Sequence, residues 1–197
     1  MTPQEVVQHN ETKLQNLYHT AADSLRAFLL LAFEAGYLLR ITHGFRSVAE
    51  QNELYSQGRT KEGNIVTNAR GGESLHNFGL AIDVYDVDKG YKIDWDELKR
   101  IANSVGVEHG DRGFNDLPHF QYRDDLTLEQ VQFGVRPKEN QLLNELTMQQ
   151  YEDLKRMITD LQNQVQKLED IHTTKKNTNR VKKIQDQNKE ILEILKK

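Results

Sequence analysis

The sequence predicts an α+β fold, a small antiparallel sheet flanked by helices, followed by a C-terminal α-helical coiled-coil tail. Three observations carry this. Short β-branched or alternating runs mix with helical segments without the strand–helix–strand rhythm of a parallel sheet. Four capping boxes, Thr2-Pro3-Gln4-Glu5, Ser47-Val48-Ala49-Glu50, Thr127-Leu128-Glu129-Gln130 and Thr147-Met148-Gln149-Gln150, mark helix starts. Behind the last box the apolar residues fall into a four-three alternation, the seam of a coiled coil.

In order, Pro3 sits at a first helical position behind Thr2. Leu14, Tyr18, Ala21, Leu25, Phe28, Leu29 and Ala32 then recur at three and four. One or two amphipathic helices are expected over residues 3–35, with Gly36 as the stop. Tyr37 to Thr42 reads as a short strand, and Ser47 opens a helix to about Gln57. The stretch from Ser56 to Glu73 holds Gly58, Gly63, Gly71 and Gly72 with Arg59, Lys61 and Arg70. It reads as a long surface loop, interrupted by a short strand at Ile65 to Thr67. A strand follows to Tyr85, with Leu80, Ile82 and Val84 on its core face and Ala81, Asp83 and Tyr85 on the other. Asp86 to Gly90 places its glycine one position early for a calcium loop and reads as an acidic hairpin. Asp94 caps a helix from Trp95 to about Ser104, stopped by Gly106. Val107 and the Pro118–Tyr122 segment are further strand pieces, and Thr127 caps a last short helix.

The chain divides into a domain over residues 1–137, a linker over 138–146 and a helical tail over 147–197. Charge follows the same division: residues 1–149 carry 15 basic and 22 acidic side chains, residues 150–197 carry 11 and 8. The mixed signs of the tail suit a solvated helix surface, and no nucleic-acid partner is expected. Leu154, Ile158, Leu161, Val165 and Leu168 form one seam, and Val181, Ile184, Asn188, Ile191 and Leu195 another, separated by His172 to Arg180. Ile and Val at one position with Leu at the other favours a parallel dimer. A homo-oligomer is therefore expected, with an intramolecular hairpin turning at the break, or a helix folded onto the catalytic domain, as the alternatives.

Composition excludes several classes. No run approaches the roughly 18 apolar residues of a membrane span. The start Met1-Thr2-Pro3-Gln4-Glu5 lacks a basic region followed by an apolar one, so no secretory signal is expected. There is no cysteine, which removes disulfides and leaves any zinc site to His, Asp or Glu.

The chemistry gathers around Ser74-Leu75-His76-Asn77-Phe78-Gly79-Leu80-Ala81-Ile82-Asp83. An imidazole at the mouth of a strand and a carboxylate on it are two ligands of a divalent metal site. Asp116-Leu117-Pro118-His119-Phe120 can supply a third ligand and a catalytic carboxylate. Of the other histidines, His43 lies at a strand exit where it can line a cleft, His109 lies near the third-ligand loop, and His19 is a helix-face residue.

With Gly44-Phe45-Arg46-Ser47, Glu50-Gln51 and Leu54-Tyr55-Ser56-Gln57-Gly58-Arg59-Thr60, these blocks resemble the L-alanyl-D-glutamate peptidases, of phage-endolysin type, within the D-alanyl-D-alanine carboxypeptidase family of zinc enzymes. The resemblance covers about residues 20–137. It implies zinc held by His76, Asp83 and His119, Asp116 as general base, and Arg46 polarising the scissile carbonyl; Ser74 is expected to bind substrate, with capping of the turn as the alternative. Close relatives often carry tryptophan where this chain has Arg112-Gly113-Phe114, which alters the substrate-facing wall. The expected function is hydrolysis of the L-alanyl-D-glutamate bond of peptidoglycan, by a phage endolysin or a virion-tail lysin. Such an enzyme would reside in the virion tail or in the host cytoplasm before release, with other tail proteins as partners. The alternatives are a D-alanyl-D-alanine carboxypeptidase and a tail structural protein that keeps a peptidase fold.

Overall fold

A computed structural model describes residues 1–110 and 116–140, together with Leu143, Arg156 and Lys182. The chain divides into two units, Met1–Tyr151 and Glu152–Lys197. In the second unit Arg156 and Lys182 are helical and exposed. The Thr147 capping box and both apolar seams of the expected coiled coil lie outside the described residues.

The first unit runs α1 (Pro3–Leu14), α2 (His19–Glu34), β1 (Leu39–His43), α3 (Val48–Ser56), a 3-10 turn (Leu75–Phe78), β2 (Ala81–Asp86), α4 (Trp95–Ser104), β3 (Glu108–His109), β4 (His119–Gln121) and α5 (Leu128–Gln132). The α+β expectation holds. Four strands form an antiparallel sheet in the order β1-β2-β4-β3. The boxes at Thr2, Ser47 and Thr127 all close as expected, each side chain accepting from the third helical N–H while the third side chain reaches back. Asp94 caps α4 by accepting from the Glu97 N–H at 3.0 Å.

Alternation on β2 decides which face is core. Ile82 pairs with Phe120 and Val84 with Ile41, so these four share one face, and all are fully buried. The Phe28 ring of α2 stacks on Phe120 with centroids 4.3 Å apart, which places α2 over that face. Burial of each ring contributes about 1.5–3 kcal/mol. Leu98 and Ala102 of α4 extend the same core. Asp83, one residue out of phase with this set, faces the opposite side between His43 and His119.

The free edge of β1 is covered by a helix. Asn10 of α1 is buried; its Nδ2 donates to the Leu39 carbonyl and its Oδ1 accepts from the Ile41 N–H, both at 2.8 Å. His9 Nε2 meets the Ile41 carbonyl, also at 2.8 Å. These contacts occupy backbone groups that an edge strand otherwise leaves open.

One expectation fails. Ile65 to Thr67 forms no strand; Ile65 and Val66 are exposed, and the Thr67 carbonyl accepts from Arg59 Nη1 at 3.0 Å instead of from a neighbouring strand. The β-branched run has no sheet edge to join, so propensity alone does not make a strand there. The acidic hairpin is present: Asp86 Oδ1 accepts from the Asp88 and Lys89 N–H groups at 3.0 and 2.7 Å, and Asp86 bridges Gly90.

Gly79 ends the 3-10 turn with φ +68°. Its carbonyl accepts from the Tyr18 N–H at 3.0 Å, and a Cβ there would lie 2.8 Å from that nitrogen. A side chain would meet both the left-handed penalty and a backbone collision. The turn is thereby pressed against the α1–α2 junction, which fixes where His76 emerges.

Candidate active site

Three side chains from three elements converge. His76 rises from the 3-10 turn, Asp83 from the middle of β2 and His119 from the start of β4, directly across from Asp83. His76 Nε2 lies 3.1 Å from His119 Nδ1 and 3.3 Å from Asp83 Oδ1, and His119 Nδ1 lies 3.1 Å from Asp83 Oδ1. Four ligands at about 2.0–2.1 Å from a tetrahedral zinc stand about 3.3–3.4 Å apart. The triangle therefore has the size of three corners of such a site. Among the described residues this is the one cluster able to hold a metal ion.

The chemistry of the donors fits as well. His76 Nδ1 meets the Gly44 carbonyl at 2.8 Å. A carbonyl only accepts, so Nδ1 carries a proton and Nε2 is the nitrogen left to face the cluster. His119 has its second nitrogen, Nε2, against Gln121 Oε1 at 3.1 Å. An imidazole held from behind by an acceptor is the usual arrangement of a metal-binding histidine.

Electrostatics set the cluster apart. Burial alone pushes the Asp83 carboxyl upward, but hydrogen bonds and charge from His119 and His76 outweigh it and hold the group well below the usual carboxylate range. Burial pulls His119 down, while its bond to Asp83 and the charges of Asp83 and Asp116 carry it above the ordinary imidazole value. His43, the cross-strand neighbour of Asp83, has Nδ1 3.5 Å from Asp83 Oδ2. Burial lowers its value more than Asp83 raises it. His43 thus does line the site, at its exposed margin.

Arg46 lies beside the cluster, with Nη2 3.7 Å from Asp83 Oδ2 and Nη1 donating to Gln51 Oε1 at 2.8 Å. Asp116 is exposed; its carbonyl accepts from the His119 N–H at 3.1 Å, so its backbone stands one turn before the third ligand. Ser74 is half-buried at the head of the 3-10 turn, where its carbonyl accepts from the Asn77 N–H at 2.9 Å. His109 turns away from the metal cluster: Nε2 meets the Leu117 carbonyl at 2.7 Å and the ring packs on Phe120. His19 packs on the Tyr18 ring, as a helix-face residue does.

Three supporting residues escape sequence reading. Gln51 is fully buried; beyond Arg46, its Nε2 donates to the Ala69 carbonyl at 2.8 Å and to Thr67 Oγ1 at 3.3 Å. It ties the glycine-rich loop to the arginine. Asn77 accepts from the Gly72 N–H at 2.9 Å and donates to the Arg46 carbonyl at 2.8 Å. Gln121 lies two residues beyond His119 on one strand, and that spacing alone is a signal that they share a face. Gly110 packs so tightly that a Cβ there would lie 2.3 Å from His119 Cδ2.

The chain is similar to several known proteins. Over 116 residues the chain is 47% identical to the peptidoglycan L-alanyl-D-glutamate endopeptidase CwlK of Bacillus subtilis (strain 168), covering 51% of this chain and 68% of that protein. Among solved structures, the L-Ala D-Glu endopeptidase ChiX of Serratia marcescens is 22% identical with a TM-score of 0.42, over 63% of this chain and 90% of that one. The vancomycin-resistance D,D-pentapeptidase VanY, solved in complex with Zn(II), is 17% identical with a TM-score of 0.44, over 58% and 75%. The family model described as VanY, D-alanyl-D-alanine carboxypeptidase, matches residues 14–116. That span includes Arg46, His76 and Asp83 and ends at Asp116, three residues short of the His119 that the sheet brings into the cluster. With more than half its residues inside that match, the chain belongs to the VanY family of D-alanyl-D-alanine carboxypeptidases.

Proposed function

We propose that this protein is a zinc-dependent peptidoglycan endopeptidase that hydrolyses the L-alanyl-D-glutamate bond of the stem peptide. The observation that carries the metal chemistry is the triangle of His76, Asp83 and His119 with its tetrahedral spacing. The bond is inferred from the 47% identity to CwlK, whose name states that specificity.

When bound, the ion supplies Lewis-acid chemistry, lowering the pKa of a water toward about 7 and polarising the carbonyl to be attacked. The protein's own groups do the rest. Asp116, exposed one turn before His119, takes the proton of the attacking water and returns one to the leaving amine. Arg46 offers a planar cation to the oxygen on which negative charge develops. Gln51 and Asn77 hold the side chain and carbonyl of Arg46, so little reorganisation is needed as charge moves. Ser74, beside His76, contacts the bound stem peptide.

Digestion of defined peptidoglycan by zinc-loaded protein, with products identified by mass, is the test. A new D-glutamyl amino terminus supports the proposal. Free D-alanine instead would favour the second reading, a D-alanyl-D-alanine carboxypeptidase, which the family description supports. Absence of zinc uptake by the intact protein would remove both, and would favour a tail structural protein that keeps a peptidase fold.

Delivery belongs to the same proposal. The apolar seams over 147–197 suit self-association. That fits a phage lysin, released from the host cytoplasm or carried on a virion tail with other tail proteins. Sedimentation of full-length protein against a version ending at Lys138 tests the first element: equal protomer numbers would remove it. Immunoblotting of purified particles tests the second.

A further inference from the structure

We infer that Arg123, Glu108 and Gln121 form a relay that fixes the tautomer of His119 and so decides which of its nitrogens is offered to the metal. The inference rests on the metal-centre reading above and concerns groups that reading does not use.

The chain of contacts is continuous. Arg123 Nε donates to both carboxylate oxygens of Glu108, at 3.0 and 3.1 Å, and Arg123 Nη1 donates to the Leu126 carbonyl at 2.8 Å. Glu108 on β3 stands directly across from Gln121 on β4. Gln121 Nε2 lies 3.1 Å from Glu108 Oε2, and Gln121 Oε1 lies 3.1 Å from His119 Nε2. Arg123 and Gln121 are both buried, and Glu108 between them is half-buried.

Direction follows from which groups can donate. A guanidinium has no acceptor and keeps its charge at any ordinary pH, so it holds Glu108 as an acceptor-only carboxylate. Glu108 then needs the amide –NH2 of Gln121, because the amide oxygen would face carboxylate oxygen. With the –NH2 so committed, the Gln121 carbonyl turns toward His119, where it only accepts. His119 therefore keeps a proton on Nε2, and the proton that an ion would displace is the one Nδ1 shares with Asp83 Oδ1, 3.1 Å away, with His76 Nε2 also at 3.1 Å. Without this ordering, the imidazole can serve Asp83 from Nδ1 with Nε2 bare, the tautomer that turns an N–H toward the ion.

The two histidines are thus fixed by different means. His76 is set by a backbone carbonyl, which no substitution removes; His119 is set by a side-chain relay anchored on a cation. The second device is the one open to mutation.

The test uses full-length protein and zinc alone as the probe, with affinity measured by competition against a chelator. Gln121→Leu keeps the volume and removes the acceptor, and zinc affinity is expected to fall about 10- to 100-fold. Long-range 1H–15N spectra of the metal-free protein should show the His119 Nε2 proton retained in wild type, and Nε2 bare in part of the population in Gln121→Leu. Glu108→Gln changes one atom and lets the amide pair run in either direction; it should lower affinity by a smaller factor and loosen the same tautomer. If Gln121→Leu does not fold, Glu108→Gln decides. Wild-type protein that fails to take up zinc overturns the metal reading, and the relay with it. Wild type that binds zinc, with unchanged affinity and tautomer in the variants, overturns the relay alone.

Discussion

Gly110→Ala should damage the site although it adds one methyl group and alters no functional side chain. The new Cβ would lie 2.3 Å from His119 Cδ2 and 2.8 Å from both Cβ and Cγ of His119. Carbon atoms in good contact stand about 3.5–4.0 Å apart, so the imidazole must retreat by roughly 1.2 Å. It cannot do so by a distal rotation, because the collision includes its own Cβ on a paired strand. Overpacking of this kind costs about 1–3 kcal/mol. At about 2–4 °C per kcal/mol, the melting temperature should fall by about 2–12 °C. Zinc binding should suffer more, since ligand positions are held to about 0.2 Å. Calorimetry of metal-free protein and chelator competition measure the two effects. Gly44→Ala is the control: its Cβ would meet Leu17 Cδ2 at 3.6 Å and the Lys13 carbonyl at 3.7 Å, ordinary contacts. Gly110→Ala protein that melts within about 1 °C of wild type and binds zinc as tightly would refute the packing argument.

Asp116→Ala should retain zinc while wall hydrolysis falls by about 100-fold or more, the share of a general base; activity that survives with metal intact would remove the assignment. Asn10→Leu strands the Leu39 carbonyl and the Ile41 N–H, at about 1–3 kcal/mol for each unpaired group, and urea titration should show a loss of about 2–6 kcal/mol. Tyr37 donates to Glu97, and this bond, with burial and the Glu97 charge, raises its phenol from about 10 to about 12. The folded state therefore holds the proton more tightly than the unfolded one. The contribution is fully present below pH 10 and is lost as pH rises through about 12. The advantage of wild type over Tyr37→Phe in thermal melts should shrink across that window; a constant difference would contradict it.

Much of the site is legible in the sequence because it is local. His76 and Asp83 sit on either side of one turn, and Asp116 and His119 within one short segment, so spacing fixes their mutual positions before any tertiary contact forms. That the two pairs meet is a matter of strand pairing, and the alternation of β2 against β4 puts Asp83 opposite His119 once the core face is known. The supporting residues are harder to read. Glu108 reaches Gln121 only through the register of a two-residue strand, and nothing periodic announces so short an element. Gln51 looks like an ordinary polar helix residue until α3 packs against the loop that it ties down. Ile65 to Thr67 misleads for the opposite reason. Its composition describes a strand, but pairing requires a partner, and Arg59 takes the carbonyl that a neighbouring strand would have used.

The contacts of α1 with the outer edge of β1 bear on where this domain can be cut. Asn10 and His9 make a helix serve in place of another strand, yet the family match begins at residue 14, the last residue of that helix. A fragment trimmed to the match would lose both side chains and bare the backbone of Leu39 and Ile41. A bare strand edge is a template for the same edge in another copy. Such a fragment would self-associate through its sheet, mimicking the oligomerisation sought in residues 147–197. Only versions that keep α1 can therefore report on the tail.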